Sequence, residues 1–141
     1  MKLLYILAEA IKSQFSIMDV IKDEEDEILR VSKELGVSPY EISVALLSGN
    51  KKPLTDDIWS RLENTDSYDI SSEEDFVSLS KQYNKDYKSI MAVKDLSELP
   101  PALILEYEPG KYHLVGGNTR LMYFRLRGKT PEVIIGKLDN S

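Results

Sequence analysis

An apolar strand, a double glycine and a helix follow one another in Tyr112-His113-Leu114-Val115-Gly116-Gly117-Asn118-Thr119-Arg120-Leu121-Met122-Tyr123-Phe124-Arg125-Leu126-Arg127-Gly128. Glycines at a strand-to-helix turn let the backbone fold tightly, so several N–H groups can point at one oxyanion near the positive end of the helix dipole. Arginine in the first helical turn adds a forked, charged grip for a phosphate or a carboxylate. The stretch therefore predicts an anion site made by Gly116, Gly117, Asn118, Thr119 and Arg120.

A simpler interpretation accounts for the same residues. Gly116-Gly117 would then be only a tight turn, Asn118 a helix cap and Arg120 one half of a surface ion pair. Both interpretations stay open at the level of the sequence.

The helix after the double glycine is expected to be mostly buried. Steps of about 100° per residue place Arg120 and Arg127 on nearly the same line, with Tyr123 beside them. We expect the next strand, Glu132 to Lys137, to return beside Tyr112 to Val115 by a right-handed crossover. That arrangement would put the glycine turn at the usual ligand edge of the sheet.

Composition favours one cytoplasmic, globular protein and excludes several kinds of chemistry. The 141 residues include no cysteine, so disulfides, thiolate catalysis and cysteine-bound zinc are excluded. No segment approaches the run of about 20 apolar residues that spans a bilayer, and Leu3 to Ala8 is too short for a signal peptide. The net charge of -6 opposes polyanion binding through bulk charge, although residues 100–141 carry six basic and four acidic side chains.

The first 84 residues are predicted to be helical. Apolar residues at i, i+3, i+4 and i+7 indicate helices over residues 2–15 and about 18–35. The acidic run Asp23 to Glu27 is either a solvated face or a break between two shorter helices. Cap residues predict further helices at about 39–48 after Ser38, from Thr55 through Leu62, and from Ser72 to about Tyr83.

Residues 85–141 are predicted to form an α/β domain. Strands are expected at Ala102 to Tyr107, Tyr112 to Val115 and Glu132 to Lys137, and the first two are joined by a turn at Glu108 to Lys111. The fold class is therefore α+β: a helical region over 1–84 followed by a small α/β domain with a mixed sheet.

Two short motifs in the back half resemble the ParB/sulfiredoxin superfamily over roughly residues 88–138. Leu114 to Leu121, followed by Gly128 and Val133-Ile134-Ile135, is similar to the second conserved box of that family. Ile90 to Leu96 with Leu99-Pro100-Pro101 is similar to the first box, a strand followed by a short polar turn. The resemblance implies a ParB-like N-terminal domain.

The resemblance also implies that the turn holds nucleotide phosphates, with a nucleoside triphosphate and magnesium as the cofactor. Gly116, Gly117 and Arg120 match the loop glycines and the closing arginine of the sulfiredoxin motif. Asn118 and Thr119 stand where sulfiredoxins keep a catalytic cysteine and a histidine, so sulfinic-acid reduction is excluded. The implied role of Asn118 and Thr119 is neutral hydrogen bonding to phosphate oxygens.

Binding is implied more directly than turnover, and NTP hydrolysis, phosphotransfer and nuclease action all stay open. A phage or mobile-element accessory protein in nucleic-acid or nucleotide metabolism would suit such a domain beside an acidic helical region. His113, the only histidine, is more simply structural than a general base. The nearby carboxylates that could hold magnesium or activate a hydroxyl are Asp95, Glu98, Glu106 and Glu108.

A rival hypothesis starts from residues 28–49, which resemble a helix-turn-helix unit. Ser32 lies four residues before the turn glycine Gly36, and Ile42 lies six after it, as this tight helix crossing requires. The second helix presents no Arg, Lys, Gln or Asn for base contacts, and only Lys51 and Lys52 follow it. The alternative function is DNA binding or regulatory protein interaction through the front helices, with the glycine turn structural.

Overall fold

The computed structural model describes residues 17–138 and shows an α+β protein. The helix predicted at residues 2–15 lies outside the described residues. The helices are α1 (Ile17–Asp23), α2 (Glu25–Leu35), α3 (Pro39–Leu47), α4 (Asp56–Arg61), α5 (Glu73–Gln82), α6 (Tyr87–Met91) and α7 (Asn118–Leu126), with 3-10 turns at Ser67–Asp69 and Leu96–Glu98. The strands are β1 (Asn50–Pro53), β2 (Ala102–Glu108), β3 (Lys111–Gly116) and β4 (Glu132–Lys137). Within residues 17–138, no helix is long and apolar enough to cross a membrane.

The four strands form one mixed sheet in the order β1-β4-β2-β3. β2 and β3 make an antiparallel hairpin through the predicted turn, and β1 runs antiparallel to β4. β4 pairs with β2 in parallel, with Ile135 opposite Ile104. The predicted strands of the back half and the mixed sheet are therefore confirmed.

The expected position of β4 beside β3 is wrong. The outer edge of β3 is taken by Glu63, whose N–H donates to the Tyr112 carbonyl at 2.9 Å and whose carbonyl accepts from the Leu114 N–H at 3.0 Å. β4 is buried over four successive residues, because β1 and β2 pair with its two edges and helices cover both of its faces. Consequently, the glycine turn ends β3 but lies at the amino ends of the parallel strands, where Leu103 pairs with Gly116. The predicted position at the usual ligand edge, the carboxyl ends of the strands, is therefore also wrong.

Strand β1 has no counterpart in the sequence predictions. Its four residues are all exposed and include Pro53, so no apolar alternation marks it as a strand. β1 belongs to the first half of the chain and pairs with β4. The predicted regions 1–84 and 85–141 therefore share one sheet, and their boundary falls between α5 and α6.

Helices cover both faces of the sheet. α1, α2 and α3 pack on one face, α4 and α7 pack on the other, and α5 and α6 pack on the outer side of α7. The first core contains Val20, Ile28, Val31, Ile42, Ala45, Leu46, Leu103, Leu105, Val115, Ile134 and Leu138. The second contains Leu54, Trp59, Leu62, Ala102, Ile104, Tyr112, Leu114, Leu121, Val133 and Ile135. The expected burial of α7 follows from its place between the sheet and α5.

The helix boundaries of the first half follow local cap chemistry. The Ser38 and Ser72 hydroxyls accept from backbone N–H groups three residues on, both at 3.1 Å, as the sequence predicts. Gly36 ends α2 in the left-handed conformation, with φ of 68°. Of the two interpretations of the acidic run, the break is confirmed, because Glu24 separates α1 from α2.

The strand expected in the first ParB-like motif is wrong. Tyr87–Met91 forms α6, and the Asp86 carboxylate caps this helix by accepting from the Ser89 N–H at 3.2 Å. Ile90 and Met91 pack in the apolar cluster that covers the outer side of α7. A short apolar run serves a helix face as well as a strand, so its composition did not distinguish them.

Helix α3 packs directly on the backbone of β4 at Gly136, where a Cβ would lie 2.7 Å from the Leu46 nitrogen. Gly136→Ala should therefore lower the free energy of unfolding by about 2 kcal/mol, because the added methyl forces helix and strand apart. Urea denaturation followed by circular dichroism measures the change. Lys137→Ala, at the exposed neighbouring position, is the control and should stay within about 0.5 kcal/mol of the wild type. Equal stability of Gly136→Ala and the wild type would contradict this close packing.

Candidate functional site

The glycine turn requires a left-handed residue between β3 and α7. Gly117 has φ of 104°, and a Cβ there would lie 2.7 Å from the Ala102 Cβ. Gly117 is also the N-terminal cap of α7, so the interpretation of Asn118 as the cap is wrong. The first hydrogen bond of α7 runs from the Leu121 N–H to the Gly117 carbonyl at 3.0 Å. The N–H groups of residues 118–120 are thus not used within the helix.

All five residues predicted for the anion site line one cavity of about 690 Å³. Ile90, Leu114 and Val115 also line it, and the other lining residues come from distant parts of the chain: the α1–α2 region, residues 64–66 and residues 83–86. The lining residues from these segments are Glu24, Glu27, Arg30, Asn64, Thr65, Asp66, Tyr83, Lys85 and Asp86. The glycine turn therefore faces a walled space, to which the front half of the chain contributes.

The Arg120 guanidinium pairs with the carboxylate of Glu24. Nη2 of Arg120 donates to Oε1 of Glu24 at 3.2 Å, and the two side chains are only 18% and 15% exposed. The Nε atom of Arg120 is buried and has no hydrogen-bond partner within the described residues. The ion pair of the simpler interpretation is therefore present, but it lies in the cavity wall and leaves one donor of Arg120 unused.

The Glu24 carboxylate also lies against the glycine turn. A Cβ placed on Gly116 would come within 2.6 Å of the Glu24 carboxyl carbon, so only a glycine leaves room for this carboxylate. An acidic group thus occupies the position next to Arg120 and the start of α7, where the sequence predicts a bound anion. Glu24 is the main site residue that the sequence analysis missed, because 96 positions separate it from Arg120.

A chain of hydrogen bonds leads from the core to the cavity. The buried Trp59 donates from Nε1 to the Ser67 hydroxyl at 2.8 Å, and Ser67 and Thr65 share a hydrogen bond of 2.6 Å. Thr65 in turn donates to Oδ1 of Asn118 at 2.5 Å. Because Asn118 accepts through its oxygen, its amide NH₂ is not used in this chain of hydrogen bonds.

An arginine stack fixes the segment that carries Thr65. The Arg125 guanidinium lies 4.2 Å from the centre of the Trp59 ring and 4.3 Å from that of Tyr68. These contacts tie the 3-10 turn at Ser67–Asp69 to α7 by cation–π attraction. Trp59 and Tyr68 are thereby engaged within the protein.

The four carboxylates proposed from the sequence do not line the cavity. Asp95 caps the 3-10 turn at Leu96–Glu98, and Glu98 is exposed within that turn. Glu106 accepts from the Gly110 N–H at 3.0 Å, and Glu108 pairs with Lys111 at 3.0 Å. None of the four is placed to act at the glycine turn, and Asp95, Glu106 and Glu108 bond within local turns. Among residues 17–138, no three acidic or histidine side chains are grouped to hold a metal ion.

His113 joins two elements next to the cavity, in keeping with the expected structural role. The imidazole is buried, with Nε2 3.0 Å from Oε2 of Glu34 and Nδ1 3.2 Å from Oε1 of Glu63. Glu34 also accepts from Arg30 at 2.6 Å, and Glu63 accepts from the Tyr107 hydroxyl. His113 therefore connects α2 to the segment that precedes Asn64.

The helix-turn-helix candidate, α2 and α3, packs on the sheet. The buried residues of both helices join the core with β2 and β4, while Tyr40 and Val44 of α3 are exposed. Lys51 and Lys52 belong to β1, and Lys51 lies 3.8 Å from Glu132. The structure thus shows how these elements pack, and DNA binding by them stays a prediction from the sequence.

Arg120 and Arg127, the two arginines predicted to lie on one line of α7, differ in the cavities that they line. Arg120 lines both the cavity at the glycine turn and a second one of about 920 Å³. Arg127 lines only the second, and it also donates from Nη1 to the Tyr123 hydroxyl at 3.1 Å. Arg127 thus offers a matched control for Arg120 on the same helix.

No protein-family model, curated protein or solved structure matches this chain. The resemblance to the ParB/sulfiredoxin superfamily therefore stays a prediction that depends on the motif residues.

Ser67→Ala tests the hydrogen-bond chain. The substitution leaves the buried Trp59 N–H without its acceptor, so we expect a loss of about 1–3 kcal/mol in the free energy of unfolding. Urea denaturation measures the loss, and Ser60→Ala at an exposed position of α4 should change stability by less than about 0.5 kcal/mol. A Ser67→Ala protein as stable as the Ser60→Ala control would mean that this chain of hydrogen bonds does not stabilise the buried Trp59.

The cluster around His113 predicts an acid-sensitive contribution from Glu34. Burial alone would raise the pKa of Glu34, but the His113 hydrogen bond and the charge of Arg30 outweigh it and lower the pKa below its usual value of 4.5. A carboxyl with a lower pKa in the folded state stabilises the fold above the unfolded pKa and loses this effect as the pH falls through the folded value. Glu34→Gln should therefore flatten the fall in stability below pH 4.5.

Thermal unfolding at a series of acidic pH values measures this dependence. Glu98→Gln, which removes an exposed carboxylate remote from His113, is the control and should leave the curve unchanged. Parallel curves for the wild type and Glu34→Gln would rule out the stabilising role of the Glu34 carboxylate.

Proposed function

We propose that the protein binds a phosphate-bearing ligand of nucleotide size in the cavity at Gly116–Arg120. The observation that carries the proposal is the placement of the Glu24 carboxylate, which lies against Gly116 and accepts from Arg120. The position of this carboxylate supports an anion site formed by the turn and Arg120. A ligand phosphate offers more acceptor oxygens than a carboxylate and can bond Arg120 in a bidentate manner.

Three features support a nucleotide over a bare anion. The volume of about 690 Å³ falls in the range of small-molecule sites, which is about 300–1,000 Å³. The wall includes the neutral amide of Asn118, whose NH₂ suits sugar hydroxyls and base edges, while Asn64 and Thr65 already bond to other residues of the protein. The motif resemblance points to nucleotide phosphates as well.

The proposal is one of binding, without an assigned reaction. His113 does not line the cavity, and its ring nitrogens face Glu34 and Glu63. NTP hydrolysis, phosphotransfer and nuclease activity stay predictions of the family resemblance. A place in phage or mobile-element nucleotide metabolism is likewise a prediction from that resemblance.

Calorimetric titration of the whole chain with mononucleotides and inorganic phosphate tests the proposal. Arg120→Ala should weaken binding at least about tenfold, since a charge-assisted hydrogen-bond pair is worth roughly 1.5–3 kcal/mol. Arg127→Ala, on the same helix but outside this cavity, should bind as the wild type does. Equal affinities of the wild type and Arg120→Ala, or no binding of any nucleotide, would overturn the proposed function.

A further inference from the structure

We infer that the cavity is built for a nucleoside monophosphate rather than for the magnesium-bound triphosphate that the motif resemblance implies. The inference rests on the proposed function and narrows its ligand class. It depends on how many anionic groups the cavity can hold and on what already neutralises its charged side chains.

The wall provides one place for an anion. Arg120 and Gly116 both contact the carboxylate of Glu24, and Arg120 keeps a buried Nε without a partner. An incoming phosphate that takes the place of Glu24 on Nη2 can also accept from Nε, which gives a bidentate pair. Glu24 therefore marks the position of one phosphate and competes with it.

The other lining arginine is already neutralised. Arg30 donates to Glu27 and, at 2.6 Å, to Glu34, so two carboxylates share its charge. Lys85, on the exposed segment between α5 and α6, is the remaining lining cation. Beyond Arg120, then, the wall has little positive charge for further phosphate groups.

Four carboxylates also line the cavity. Asp66 accepts from the Tyr83 hydroxyl, and Asp86 caps α6. With Glu24 and Glu27, four lining carboxylates face three lining cations. A second and a third phosphate would therefore meet like charge, which is costly in a site partly shielded from solvent.

The same carboxylates suit sugar hydroxyls. A carboxylate accepts hydrogen bonds from a ribose diol, as in dinucleotide sites. Asp66 follows Thr65, which donates to Asn118 of α7. The carboxylate acceptors for the sugar and the proposed position of the phosphate therefore lie on the wall of the same cavity.

The lining carboxylates do not fit a magnesium triphosphate. Glu24, Glu27, Asp66 and Asp86 each have a partner of their own, and no three of them are grouped as metal ligands within the described residues. Beside a triphosphate, Mg²⁺ usually takes one or two protein carboxylates in addition to the phosphates, and here each lining carboxylate is already held by its own partner.

Calorimetry with AMP, CMP, GMP and UMP, and with the matching triphosphates with and without magnesium, tests the inference on the full chain. We expect at least one monophosphate to bind about tenfold or more tightly than its triphosphate under both conditions. Glu24→Gln should tighten monophosphate binding several-fold, because it removes the competing charge. Glu27→Gln also removes a lining carboxylate, but one paired with Arg30, and should have a smaller effect.

The outcomes separate the inference from the proposed function. Tighter binding of a triphosphate than of its monophosphate, or weaker monophosphate binding by Glu24→Gln, would overturn the inference and leave nucleotide binding in place. A failure of the wild type and of Glu24→Gln to bind any nucleotide would overturn both.

Discussion

The left-handed backbone at Gly117 is the constraint on which the arrangement of the site depends. Gly117 packs against Ala102 at the start of β2, so α7 must begin where the hairpin ends. From there α7 crosses the sheet between β3 and α5, and the chain returns as β4 beside β2. The same turn brings Arg120 to the end of β3 and leaves the first N–H groups of α7 without acceptors inside the helix.

The ion pair of Arg120 and Glu24 connects this turn to the front of the chain. Removing two charges from water is costly, so a mostly buried pair of this kind is weak evidence for stability. Under the proposed function, the pair marks the position of a ligand anion next to Arg120. The break between α1 and α2 contributes to this site, because it places the Glu24 side chain against the turn.

Local chemistry allowed much of the fold to be predicted. The caps at Ser38 and Ser72, the hairpin turn and the glycine turn each depend on residues close together in the sequence. The strand order could not be predicted in the same way, because the edge of β3 is covered by Glu63 from 50 residues earlier. The residues of β1 have no apolar pattern, and the short apolar run of α6 fits a strand as well as it fits a helix.

The candidate site, too, could be predicted only where its residues are close together in the sequence. The five residues of the glycine turn were predicted because they adjoin one another, whereas Glu24, Thr65 and Asp66 reach the cavity only through tertiary packing. The acidic run Asp23 to Glu27 gave no sign of this role for Glu24, since most charged runs are solvated faces. Long-range contacts thus decide which charge faces Arg120, and with it the ligand that the cavity can take.

A crystal structure of the protein with a bound nucleoside monophosphate tests the central claim most directly. The account predicts the phosphate on the Arg120 guanidinium and the first N–H groups of α7, with the Glu24 carboxylate turned away from Gly116. A phosphate bound elsewhere, with the Arg120–Glu24 pair intact, would contradict it.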